Sequence, residues 1–224
     1  MSLARRLTAE ALGTALLLAV IVGSGIMGER LSAGNNAIAL LANSLATGCG
    51  LYVLITTLGP ISGAHFNPAV TISLALTGEF PRREVLPYVF VQISAALLGV
   101  VAAHWMFELP TFSASTHIRT GPSQWWSEGV ATFGLLITIW LGVRARPALV
   151  PVLVATYITA AYWFTASTSF ANPAVTIARA TTNTFSGINP GDVYGFIAAQ
   201  FAGAVAAVFF ARWLAGPLSA GRDD

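Results

Sequence analysis

Lysine is absent from this chain of 224 residues; all 11 basic residues are arginine. Acidic residues number only 9, and charged residues make up 9% against 55% hydrophobic. A soluble domain carries roughly 25% charge, so much of this surface faces something other than water. Cysteine is nearly missing as well. Cys49 alone permits no internal disulfide and no multi-cysteine metal site. Three scattered histidines, His65, His104 and His117, supply no ligand cluster or nucleophile constellation, which weighs against an intramembrane enzyme. No metal and no cofactor are expected. The arginines gather at segment ends, so the net charge of +2 carries no sign of nucleic acid, and no nucleic-acid partner is expected.

What the chain has instead is apolar length. Runs long enough for a bilayer, about 20 residues, lie near 7–28, 37–58, 85–107, 127–144, 148–167 and 192–215. The first shows no small-residue cleavage site and more spans follow, so it reads as a first helix and not a removed signal peptide. Two further segments, near 67–78 and 172–183, are too short to cross. A helix of about 10 residues rises about 15 Å, and a pair of them end to end matches the roughly 30 Å apolar thickness.

The short segments carry a repeat. Asn67-Pro68-Ala69-Val70-Thr71-Ile72 returns letter for letter as Asn172-Pro173-Ala174-Val175-Thr176-Ile177. Around it, Glu10 opens the first span and Glu128 the fourth, while Gln92 lies in the third and Gln200 in the sixth. Each half therefore reads as span, span, half-span, span. Three full crossings per half invert the second half relative to the first. We expect an all-α membrane protein, one channel domain over 1–224, with inverted repeats near 1–110 and 120–218. With the N-terminus in the cytoplasm, Arg5, Arg6, Arg82, Arg83, Arg144, Arg146, Arg212 and Arg222 lie inside; Arg30, Arg119 and Arg179 lie outside. That bias follows the positive-inside rule and predicts cytoplasmic termini. Small residues spaced by four, Ala95 with Gly99 and Gly195 with Ala199 and Gly203, predict close helix contacts.

Pro68 and Pro173 suit the first turn of a helix, and Asn67 and Asn172 suit the N-cap before it. Inverted topology brings both helix starts to the membrane midplane. Each start carries a positive partial charge of roughly half a unit, which opposes cations. The asparagine amides remain as donors toward a passing solute. The stretches before them, 62–66 and 168–171, offer backbone carbonyls, tolerated at that depth where they line a wet cavity. Central donors with carbonyl acceptors suit water or small polyols.

On these motifs, with Ser62-Gly63-Ala64-His65-Phe66 ahead of the first repeat and a glutamate near the start of each half, the chain resembles the major intrinsic protein family, the aquaporins and aquaglyceroporins. The resemblance covers essentially the whole chain. It implies six transmembrane helices, two re-entrant half-helices, one pore per subunit, a homotetramer in lipid, and passive conduction without a cofactor. It also implies a multi-pass protein of a bacterial-type inner membrane. Glu10 and Glu128 would brace the re-entrant loops, with Gln92, Gln200 and His65 in support.

One position departs from the family pattern. Where most members carry arginine after the second Asn-Pro-Ala, this chain has Val175. Counting without gaps from the asparagines puts the other filter positions at Thr47, Ala160 and Ser169. These four bear no ring and no charge, so we expect a wide, weakly polar outer filter. Arg179, one turn beyond Val175, either reaches back into the mouth or points to water. The family includes a bacterial branch, linked to arsenical transport, that the chain resembles in lacking this arginine, and neutral arsenous acid has a glycerol-like shape. The leading expectation is a passive channel for small uncharged solutes, glycerol and neutral arsenicals among them, with water also able to pass. The alternatives are a water-selective or glycerol-only facilitator with a displaced arginine, or a coupled secondary transporter. Against coupling, Glu10 and Glu128 are the only carboxylates placed in the spans. His104 is expected at the membrane interface and His117 in solvent. Cys49 is expected to pack and not to act as a thiol ligand. The six tryptophans are expected mostly at span ends.

Overall fold

The computed structural model describes residues 1–215, so Arg222 falls outside the described residues. It contains eight α-helices: α1 (Leu3–Leu31), α2 (Asn36–Ser62), α3 (Pro68–Thr77), α4 (Val85–Met106), α5 (Pro122–Ala145), α6 (Val150–Phe164), α7 (Pro173–Arg179) and α8 (Val193–Ala215). Six of them, with their short 3₁₀ leads, are long and apolar enough to cross a membrane. The expected spans are all found, and several run longer than the hydropathy suggests. Capping explains the extensions: Ser2 Oγ accepts from the Arg5 N–H, and Asn35 Oδ1 from Ala37 and Ile38. Pro122 opens α5 in the first turn, where a proline costs nothing.

The packing is two similar triplets. Helix α1 lies against α2 and α4; helix α5 lies against α6 and α8. Helices α2 and α6 join the halves, and each short helix, α3 and α7, touches both α4 and α8. The four-residue spacing of small residues does its expected work at two places. A Cβ on Gly99 would strike the Ala15 carbonyl of α1, and one on Gly203 would strike the Gly129 carbonyl of α5. Side chains are kept out there so that backbones can touch.

The chain order puts the start of α1, the end of α3 and the 3₁₀ turn Arg82–Glu84 on one face, called here the N-terminal face. The loop 107–121 and the loop 180–192 lie on the far face and pair with each other. Ser113 N donates to the Thr181 carbonyl, Ser115 N to Ala180, and Asn189 N to His117. His104 corrects the sequence reading. It is 1% exposed, not interfacial, and shares a 2.7 Å hydrogen bond with Thr182 Oγ1 that ties α4 to this far-face cover. Trp140 is likewise buried, unlike the other five tryptophans, which are 40% exposed or more. Cys49, expected to pack, is instead exposed on α2.

Candidate functional site

Two re-entrant loops reach the middle of the protein by the same backbone path. Along the first, Gly63, Ala64 and Phe66 have φ of 91°, 49° and 48°; along the second, Thr168, Ser169 and Ala171 have 61°, 51° and 48°. Left-handed backbone is uncommon for side-chain-bearing residues, and each such residue costs on the order of 1–3 kcal/mol. The cost is offset by buried carboxylates. Glu10 accepts from the N–H groups of His65 and Phe66 (2.9 and 2.8 Å), from Ser62 Oγ and from Gln92 Nε2. Glu128 accepts from the N–H groups of Phe170 and Ala171 (both 2.9 Å) and from Gln200 Nε2. Each glutamine also donates to a threonine of the repeated string, Gln92 to Thr71 and Gln200 to Thr176. Both glutamates are 0% exposed. Their charge is spent on fixing backbone.

The loops deliver the helix starts to one point. Asn67 and Asn172 cap α3 and α7 with nearly equal dihedrals, φ −154° and −157°. Asn67 Oδ1 accepts from Ala69 N; Asn172 Oδ1 accepts from Ala174 N and Val175 N. Each amide nitrogen crosses to the other half. Asn67 Nδ2 donates to the Ala171 carbonyl at 2.7 Å, and Asn172 Nδ2 to the Phe66 carbonyl at 2.8 Å. The sequence reading left both amides as donors toward a solute; here one N–H of each is committed across the junction and one remains. Pro68, Pro173, Ala69 and Ala174 are buried around this junction.

A cavity of about 430 Å³ runs past the two asparagines. Near the N-terminal face its wall includes His65, Leu74, Glu79 and Trp140; near the far face it includes Thr47, Tyr162, Ser169, Phe170, Val175 and Arg179. His65 is held by a 3.0 Å hydrogen bond with Thr71 Oγ1, and Glu79 accepts from the Trp140 indole at 3.0 Å. Partial burial pushes the Glu79 carboxyl upward in pKa, opposed by that indole bond.

The far mouth departs from the sequence reading in two ways. Ala160 is exposed on α6 and does not face the cavity. The inward stripe of α6 is Val154, Ile158 and Tyr162, spaced by one turn each. Tyr162 is 2% exposed, and its hydroxyl shares a 3.3 Å hydrogen bond with Thr47 Oγ1. The expectation of a mouth without ring or charge is therefore overturned. Arg179 points back to the cavity, 2% exposed, with its guanidinium 3.4 Å from the Phe170 ring centroid and its Nε donating to the Ser186 carbonyl. Among the described residues Ser169 Oγ is buried there without a hydrogen-bond partner. Phe164 and Trp163 face outward and take no part. Arg119, which sequence reasoning took only as an outer-loop charge, stands behind Phe170 at 5.4 Å. Burial pulls its pKa downward, with Glu128 opposing; no sequence signal ties it to the mouth.

Comparison with known proteins agrees with this architecture. Residues 1–148 match the profile of the family described as Major intrinsic protein. An aquaglyceroporin, AqpS, of Rhizobium meliloti is 58% identical over 96% of this chain and 92% of its own length. A probable glycerol uptake facilitator protein of Thermotoga maritima is 35% identical over 62% of this chain and 64% of its own. In fold, the chain is similar to the aquaglyceroporin from Plasmodium falciparum, with a TM-score of 0.72 over 93% of this chain and 95% of that one, at 18% identity. The chain thus belongs to the major intrinsic protein family, as a multi-pass membrane channel and not an enzyme.

Proposed function

We propose that this channel conducts small neutral hydroxylated solutes passively, glycerol and neutral arsenous acid among them, with water also passing. The observation that carries the reading is the far mouth. It is lined by polar groups, Arg179, Ser169 Oγ and the Thr47–Tyr162 hydroxyl pair, and beside them on the same helices by the apolar Val154, Ile158 and Val175. A solute with hydroxyls on one edge and carbon or arsenic on the other satisfies both. At the centre, Asn67 and Asn172 each keep one N–H for a solute oxygen, and the paired helix starts oppose cations. Pro68, Ala69, Pro173 and Ala174 set those starts. Glu10, Glu128, Gln92, Gln200 and His65 support the loops and do not shuttle protons. A coupled transporter is disfavoured because both span carboxylates are engaged in holding loop N–H groups.

In this reading the 224 residues form one channel unit of two inverted repeats, near 1–110 and 120–218. The arginine distribution supports a cytoplasmic N-terminal face and an outer far mouth, in a bacterial-type inner membrane. Exposed apolar side chains such as Leu12, Leu45 and Phe209 suit lipid and the contacts of a homotetramer.

Stopped-flow light scattering on proteoliposomes tests the solute class. Glycerol and arsenous acid are expected to pass at comparable rates, and Arg179→Ala is expected to raise passage of a four-carbon polyol by roughly tenfold, a barrier change of ~1.4 kcal/mol. Passage of water alone would overturn the solute class. An unchanged polyol rate in Arg179→Ala would remove Arg179 from the filter.

A further inference from the structure

We infer that Arg119 is a positioning residue for the far-mouth arginine, holding Arg179 at the lumen edge through a shared ring and a shared row of carbonyls. The inference rests on the reading of Arg179 as the residue that limits solute size.

Arg119 is absent from the conduit wall, yet it uses the same supports as Arg179. Three successive carbonyls are divided between the two side chains. Arg119 Nε donates to Gly187 O at 2.8 Å and its Nη2 to Phe185 O at 3.4 Å, while Arg179 Nε takes Ser186 O between them. Both guanidiniums also lie against Phe170. That ring cannot retreat: its backbone N–H is fixed by Glu128, and Phe196 packs edge-on at 5.1 Å. The carbonyl row is equally confined, since a Cβ on Gly187 would strike Ser115 Oγ and the Thr182 carbonyl. Arg119 is itself anchored, its backbone N–H donating to Asp192 Oδ2 at 2.8 Å.

Among the described residues neither arginine forms an ion pair with a carboxylate. Carbonyl dipoles and a ring face therefore do the holding. A guanidinium forks across two acceptors where an ammonium cannot. Without Arg119, the Phe185 and Gly187 carbonyls lose their donor, the row is free to turn, and Arg179 loses a fixed acceptor. Arg179 can then drift off the lumen edge.

The test is the permeability ratio of erythritol to glycerol in proteoliposomes of the full chain, with the thermal midpoint measured beside it. Arg119→Gln is expected to raise the ratio severalfold, and Arg119→Lys to match it, because charge without the fork does not restore the row. In an Arg179→Ala background, Arg119→Gln is expected to add nothing. Asp192→Ala, which releases only the anchor, is expected to move the ratio the same way by less, and it carries the test if Arg119→Gln fails to fold. A lowered midpoint with an unchanged ratio would reduce Arg119 to a structural residue and overturn the inference. So would a wild-type ratio in Arg119→Lys, or an Arg119→Gln effect undiminished in Arg179→Ala. If Arg179→Ala itself leaves the ratio unchanged, the size-limiting reading of Arg179 fails first and the inference falls with it.

Discussion

The two re-entrant halves share a centre and differ at their ends. From the left-handed loop to the asparagine cap, their dihedrals match, each bracing glutamate accepts from two loop N–H groups, and each asparagine amide crosses to the other half. Seven residues beyond each asparagine they part: the first half has Leu74 and the second has Arg179, and both side chains line the conduit. Helix α3 runs ten residues and ends on Gly78 in a left-handed cap, whereas α7 stops after seven, with Arg179 as its last residue. The Arg179 carbonyl then accepts from Ile188, turning the loop back over the mouth. The centre needs two matching positive helix ends, so it tolerates no asymmetry. In the proposed reading the mouths carry selection, which gives asymmetry a use there.

The largest expected effect tests the shared part. Glu10→Ala and Glu128→Ala each orphan two buried backbone N–H groups, at about 1–3 kcal/mol apiece. Both variants should lose flux and melt far earlier in detergent, Glu10→Ala more so because it also frees Ser62 Oγ. Survival of either one would break the equivalence of the halves.

Next comes Leu74→Arg, which copies the far mouth onto the N-terminal one. Glycerol flux by light scattering should fall about tenfold, and further with Glu79→Gln, since the Glu79 carboxylate lines the same mouth. An unchanged flux would mean that the two mouths are not equivalent in width.

Size complementarity gives a subtler test. Gly13 and Ala131 each lie three residues beyond a bracing glutamate, facing Phe66 in one half and, by the repeat, the smaller Ala171 in the other. A Cβ on Gly13 would strike the Phe66 ring, so Gly13→Ala should cost about 1–3 kcal/mol in thermal unfolding. Adding Phe66→Ala should recover part of that loss. No recovery would show that the ring fills a need the second half lacks.

The smallest effect is expected from Ser62→Ala. It removes a 2.8 Å bond to Glu10 and a 3.0 Å cap on Ala64 N; the corresponding Ser167 makes the matching cap, on Ser169 N, so the bond to Glu10 is what sets the first half apart. A loss of about 1 kcal/mol would mark this as an accessory of the first half; a loss as large as that of Glu10→Ala would make it part of the brace.

Much of the site was legible because its parts are local or repeated. Asn67 and Asn172 announce themselves by an identical string, and Thr71 and Thr176 lie inside it. Glu10, Glu128, Gln92 and Gln200 stand out as polar groups at matching places in apolar spans. Tyr162 was missed because counting back from Asn172 runs through residues 165–171, whose left-handed turns do not advance at a helical rise. The four-residue spacing of Val154, Ile158 and Tyr162 was available as the better guide. The second short helix, expected over 172–183, is also shorter than its counterpart, because the chain turns after Arg179.

Order along the chain suffices for the number of spans, the inverted repeat, the capped half-helices and the family, because hydropathy, prolines and repeated strings act through nearest neighbours. The character of the far mouth depends on groups that meet only after folding. Val175 in place of arginine suggests an uncharged opening, yet Arg179 returns a charge to it, held by the Ser186 carbonyl and the Phe170 ring. Arg119 enters from a loop some 60 residues away in sequence to share those supports. A guanidinium goes where acceptors and a ring face replace its water, and here those acceptors come from loops joined only in the folded chain.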